Sequence, residues 1–320
     1  MTKLGYQIPN FTYPGVGPDG LFEAVARQAE AAERSGFDTV LVMDHFYQLP
    51  LLGPPDNYML ECYTLLAALA QRTSSVRLSA LVTGNTYRNP ALLAKTITAL
   101  DIVSGGRAQL GIGAGWFELE HDSLGFEFGT FTDRFEKLEE ALQIIIPMLK
   151  GERPTFEGKY YTAKDAINEP QPIRPIPIMI GGSGEKKTLR TVAKYADMWN
   201  AMGSLEKLRH KVDVLRDHCG AVGRDISEIE FTLGIKATIR DTEAEADRVW
   251  KAAMEHNRTP LSNVESDDTF WNGTAEQLAE RLAPYVELGF RTVISEQPAP
   301  YDVETFERLI GEVKPLVERG

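Results

Sequence analysis

Four short stretches of the chain carry residue types whose spacing suits chemistry. The first is Asp44-His45-Phe46, at the end of an apolar run. An imidazole there can move a proton near neutral pH, and an adjacent carboxylate can set its tautomer or contact a ligand separately. Side chains alternate along a strand, so the two need not touch each other. The second stretch, Ala80-Leu81-Val82-Thr83-Gly84-Asn85-Thr86, gathers small and polar residues at a strand end. Thr83, Gly84 and Asn85 would let a flat ligand approach the backbone closely. The third, Gly111-Ile112-Gly113-Ala114-Gly115-Trp116, removes side chains at alternate positions and ends in an indole that can serve as a stacking wall. It lacks the spacing and the distant acidic partner of a dinucleotide fingerprint. The fourth, Gly181-Gly182-Ser183-Gly184, runs through Glu185-Lys186-Lys187 into a predicted helix. Free backbone N–H groups and the helix dipole make such a loop an anion site, with Ser183 as a side-chain donor. Together the four stretches describe a phosphate-bearing cofactor lying across a glycine-lined mouth and facing Asp44 and His45.

Other chemistries find no carrier. There is no G-x-S-x-G elbow and no HExxH pair, so neither a serine hydrolase nor a zincin is implied. Glu118, Glu120, His121 and Asp122 lack metal-ligand spacing and read as a loop, and no metal is expected. The two cysteines, Cys62 and Cys219, form no CxxC pair and suit a reducing cytoplasm. A formal charge of −12 argues against a nucleic-acid partner. No apolar run is long enough for a membrane span, and the first residues resemble a strand rather than a signal peptide.

The elements that must position these stretches alternate along the whole chain. Apolar runs at 4–8, 38–43, 76–83, 107–113, 176–180, 198–201, 229–239 and 291–295 predict eight strands. Amphipathic runs at 20–35, 61–72, 90–103, 133–149, 185–195, 205–222, 242–256, 274–288 and 303–317 predict helices, with a hairpin inserted at 154–163. Strict alternation with buried-type strands predicts an α/β fold with a parallel sheet. Eight units without a nucleotide loop in the first turn predict a closed (β/α)8 TIM barrel with insertions after strands, one domain over 1–320. Chemistry then belongs in the loops at the C-terminal ends of the strands. Loops 48–58 and 257–271 are expected to wall the substrate pocket.

The stretches VMDHF (42–46), LVTGNTYRNPALLAK (81–95), LDIVSGGRAQLGIGAGWFELEH (100–121), IGGSGEKKTLR (180–190) and YADMWN (195–200) resemble the luciferase-like monooxygenase superfamily, in its F420-dependent oxidoreductase branch. The resemblance covers nearly the whole chain and weakens after about residue 240. It implies the barrel, a deazaflavin or flavin at its mouth, hydride transfer to a small-molecule substrate, and a homodimer to which the apolar helix at 60–69 contributes. By that resemblance Asp44 and His45 form the Asp-His pair: His45 assists proton and hydride movement, and Asp44 bonds cofactor or substrate. Thr83 and Asn85 line the ring site, Gly113, Ala114 and Gly115 border the tail, and Gly181 to Gly184 hold the phosphate. A non-prolyl cis peptide is implied at Ala80-Leu81, where a bulge supports the ring. F420 is favoured by the Asp-His-Phe form and the GGSGEKKTLR run. The alternative is an FMN-dependent monooxygenase served by a separate reductase. One departure stands out. F420-dependent glucose-6-phosphate dehydrogenases carry a Glu where this chain has Trp116, so sugar-phosphate oxidation is not implied and the general acid must lie elsewhere, at Glu118 or His45.

Overall fold

The computed structural model describes residues 2–264 and 267–319. Eight parallel strands form its centre: β1 (Lys3–Ile8), β2 (Thr39–Val42), β3 (Arg77–Ala80), β4 (Ala108–Gly113), β5 (Ile178–Gly181), β6 (Met198–Ala201), β7 (Glu230–Ile239) and β8 (Phe290–Glu296). Each pairs with the next, β7 pairs with both β6 and β8, and β8 pairs with β1, so the sheet closes into the expected barrel.

Local sequence explains how the units form. The first helix, Pro18–Ser35, starts with proline at its N-terminal turn and stops at Gly36. Gly36 adopts φ 97°, a left-handed conformation that glycine reaches without a Cβ penalty, and its N–H bonds back to the carbonyls of Ala32 and Glu33. Leu21, Val25, Ala29 and Ala32 repeat at helical spacing and are buried against the sheet. Leu41, Met179 and Ile294 pack together inside the barrel, while Val40 and Val42, on the opposite side of β2, join the larger core beneath the helices. Each such aliphatic side chain stabilises the fold by about 1.5–3 kcal/mol through burial.

Several expectations are corrected. The third strand does not run unbroken over 76–83. It pairs with β4 at Ser79↔Gln109 and again at Thr83↔Ile112, four residues against three, so one extra residue is inserted. That bulge holds Ala80, Leu81 and Val82, and the cis peptide lies at Leu81-Val82, one bond beyond Ala80-Leu81. Residues 118–122 are not a loop, since a helix spans Glu118–Leu124. The helix after β5 starts at Thr188, because residues 185–187 form turns that separate it from the glycine-rich loop. A further short strand, Phe270–Gly273, extends the sheet beside β7 within the expected 257–271 wall, of which residues 265 and 266 lie outside the described residues. In the 60–69 segment, Leu65, Leu66 and Leu69 are buried in this chain's own core. Those side chains are therefore not offered to a second copy.

Glu33 ties the first helix to the segment before β3 by accepting from the amides of Ser74, Ser75 and Val76. Partial burial opposes its charge, but these bonds outweigh that and bring its pKa from 4.5 down to about 2. A carboxylate with a lowered folded pKa adds stability above its unfolded pKa and loses it as pH falls through the folded one. The melting-temperature gap between wild type and Glu33→Gln is therefore expected to be widest at neutral pH and to close between about 4.5 and 2. A gap independent of pH would contradict this role.

Candidate active site

The C-terminal ends of the strands enclose a cavity of about 480 Å³. Its lining divides in two around the barrel. The β3–β5 half presents Leu81, Val82, Gly113 and Gly181, with almost no polar side chain. The β6–β2 half presents Asn200, Lys236, Glu296, Gln7 and His45. At the rim stand Leu51, Trp116, Phe131 and Met202; the two aromatic residues are each 59% exposed.

The glycines of the first half have a specific steric cause. A Cβ on Gly111 would lie 2.1 Å from the carbonyl oxygen of Ala80, inside any possible contact. The bulge therefore needs glycine at 111. A Cβ on Gly113 would come within 3.0 Å of Val82, and one on Gly181 within 3.1 Å of the same side chain. Val82 thus fills the space those two glycines leave and forms a wall of the cavity there.

His45 is held by a residue that sequence reasoning passed over. Its Nδ1 lies 2.9 Å from Oε2 of Glu120, which is fully buried on the short helix after β4. The other Glu120 oxygen accepts from the amides of Phe46 and Tyr47, and the Tyr87 hydroxyl donates to Oε2 at 2.5 Å. Burial opposes the charge on Glu120, but the bonds from His45, Tyr87 and the Tyr47 amide prevail, so its pKa is lowered. An ionised carboxylate at Nδ1 places the proton on that nitrogen and leaves Nε2 for the cavity. The rings of Trp116 and Phe117 pack edge-on against the imidazole, each with its centroid 5.8 Å away. Glu120 carried one sequence signal: it follows the glycine stretch by a few residues and sits beside His121. His121 is itself buried, bridging the Phe117 carbonyl and the Thr86 hydroxyl.

Asp44 does something other than orient His45. It is 2% exposed and receives both terminal nitrogens of Arg88, at 2.6 and 2.9 Å, plus the Gly84 amide at 3.1 Å. Burial raises its pKa, opposed by Arg88 and the Gly84 amide. Both of its oxygens accept from the loop after β3, while the residue still lines the cavity. Arg88 continues to Glu61 at 2.7 Å, so the ion pairs tie the ends of three segments.

The remaining predicted positions separate clearly. His45, Leu81, Thr83, Gly113, Ala114, Gly115, Trp116, Gly181 and Gly182 line the cavity, as Asp44 does. The Thr83 hydroxyl is already bonded to Tyr63 at 2.5 Å. Ala80 and Asn85 do not line it: both are buried, Ala80 turned to β4 by the bulge and Asn85 in the short helical turn that follows. Ser183 and Gly184 lie beyond the lining, since the chain leaves the mouth after Gly182, and the polar side chain that reaches it there is Thr188. Arg134 was also missed. It lines the rim, bonds the carbonyls of Gly115 and Gly129 at 3.0 Å each, and stacks over Phe128. Among the described residues, no three His, Cys, Asp or Glu side chains gather as a metal site, and no helix is long and apolar enough to cross a membrane.

Fold and mouth together define a parallel (β/α)8 barrel with a ligand cavity at the C-terminal face. Residues 2–292 match the luciferase-like monooxygenase family, and the chain belongs to it. It is 30% identical to an F420-dependent glucose-6-phosphate dehydrogenase of Microbacterium testaceum (strain StLB037), over 97% of this chain and 95% of that one. Its fold is similar to an F420-dependent secondary alcohol dehydrogenase in complex with an F420-acetone adduct, with TM-score 0.81, 22% identity and 99% of each chain covered. It is also similar to riboflavin lyase with modified FMN and riboflavin, with TM-score 0.82, 15% identity, and 99% of this chain and 91% of that one covered.

Proposed function

We propose that this chain is an F420-dependent oxidoreductase that transfers hydride between the deazaflavin and a small organic substrate. The observation that carries the reading is the Val82 wall, made possible by Gly111, Gly113 and Gly181, opposite a His45 whose Nδ1 is engaged by Glu120. Such a wall fits one face of a planar ring, and the polar half of the cavity remains for the substrate. The deazaflavin, when bound, supplies or accepts two electrons as hydride at one ring carbon. Gly181, Gly182 and Thr188 hold its phosphate-bearing tail, with the loop at Ser183 and Gly184 beyond them. Ala114 and Gly115 border the tail. His45 presents Nε2 to the reacting groups, and Trp116, Phe131 and Leu51 shut out water, which strengthens polar contacts inside. Curated relatives similar over nearly the whole chain are F420-dependent, which favours F420 over the FMN alternative.

Titrating purified protein with F420 and with FMN, followed by tryptophan quenching, tests the cofactor. F420 is expected to quench and FMN not to; tight FMN binding with none for F420 overturns the reading. His45→Ala is expected to keep F420 binding and to lose roughly 100-fold in reduction of a ketone and enone panel. Full activity in that variant would remove His45 from the mechanism.

The same reading makes the chain a cytoplasmic homodimer with no nucleic-acid partner. Its buried free thiols, its −12 charge and the outward Leu92, Ile102 and Val103 of the helix Pro90–Ser104 support this. Cell fractionation and sedimentation velocity check location and mass; a single-copy mass overturns the dimer.

A further inference from the structure

His45 has one nitrogen committed to Glu120. The polar half of the cavity holds one other carboxyl, Glu296, the last residue of β8. It is 6% exposed, and its Oε1 has no hydrogen-bond partner. Asp44 and Glu120, by contrast, each accept hydrogen bonds at both oxygens. A buried carboxyl oxygen without a partner is costly unless something in the site uses it.

The groups facing Glu296 come from each adjoining element. Lys236 of β7 holds its ammonium 4.0 Å from Oε1 but donates to the Thr269 hydroxyl at 2.9 Å and to Asp267 at 3.3 Å. Gln7, the register partner on β1, is neutral. Lys236 and Glu296 also line a second cavity of about 280 Å³, between β7, the helix Glu243–His256 and residues 296–302. The Glu296 side chain therefore lines both cavities.

We propose that Glu296 is the proton-transfer residue of this site, acting on the carbonyl oxygen of a substrate seated against the β6–β8 wall. The proposal rests on the oxidoreductase reading above. In the reducing direction the carbonyl carbon gains the hydride that reduced deazaflavin supplies, and the C–O π electrons move onto oxygen. The Glu296 O–H bond breaks and its proton forms the new O–H. With reduced deazaflavin bound as the two-electron donor, the carbonyl would be reduced to an alcohol and Glu296 would become a carboxylate beside Lys236 until water reprotonates it. Burial supports the protonated starting state by raising the Glu296 pKa, with Lys236 opposing and Asp267 adding to the shift. A carboxyl whose protonated form is favoured can serve as a proton donor.

Glu296→Gln keeps the size of the side chain and removes its acid. One readout needs no turnover. The infrared difference spectrum of wild type minus Glu296→Gln, both cofactor-free, is expected to show a protonated-carboxyl C=O band at neutral pH. The second is single-turnover reduction of cyclohexanone by reduced F420. The variant is expected to keep F420 binding and to lose about 100-fold in rate together with the alkaline limb of the pH profile. A missing wild-type band, or a variant that keeps both rate and alkaline limb, overturns the proposal. If wild type itself fails to bind F420, the functional reading fails and takes this step with it, a result distinct from a defect confined to the variant.

Discussion

Glu120→Ala is expected to cost about 3–5 kcal/mol of stability, the range for removing one partner from a buried charged network. The side chain has no exposure and accepts from His45, Tyr87 and the amides of Phe46 and Tyr47. Alanine leaves four part-buried donors without their acceptor. Urea unfolding reads the loss. Turnover is expected to fall on the order of 100-fold even in the molecules that fold, because the imidazole is no longer held in one tautomer and orientation. Glu120→Gln separates the two effects: it preserves volume but turns an NH₂ toward one of the donors. A Glu120→Ala protein within about 1 kcal/mol of wild type would show that the network does not organise this side of the mouth.

Gly111→Ala is expected to cost about 3 kcal/mol or more, at the upper end of overpacking effects. The added carbon would sit 2.1 Å from the Ala80 carbonyl oxygen and 3.2 Å from Met179. Both the carbonyl and residue 111 belong to barrel strands, so neither can retreat without breaking the pairing of β3 with β4. Gly113→Ala is the internal comparison. Its carbon would meet the Val82 side chain at 3.0 Å, which can shift, so a loss of about 1 kcal/mol is expected there. Moving the bulge also moves the Val82 wall, so Gly111→Ala is expected to weaken F420 quenching as well. Equal stability of the two variants would remove the bulge argument.

The barrel was legible because each of its units reports on itself. A strand buried on both faces must be continuously apolar, and a helix lying on it must repeat every three to four residues. Thr39–Val42 and Pro18–Ser35 satisfy these conditions with no knowledge of their neighbours. Where boundaries were missed, a contact from elsewhere decided them. Residues 76–83 are a strand by composition, and only pairing with β4 reveals the extra residue in the bulge. Residues 118–122 carry no helix signal longer than two turns, and their helix is stabilised largely by what Glu120 and His121 touch.

The candidate site divides the same way. Sequence alone determined that His45 stands at a strand end and that glycines clear the β4 and β5 positions, because residue type and strand position depend only on local order. Tertiary structure decided which carboxylate serves which partner. Asp44 is adjacent to His45 in the chain yet turns to Arg88, since neighbours on an extended segment point apart. Glu120, 75 residues away, reaches His45 instead. Glu296 becomes an acid facing the cavity only because β8 closes the barrel beside β1 and β7. Hydrogen bonds and desolvation act over a few ångströms of space, and distance along the chain does not report that separation.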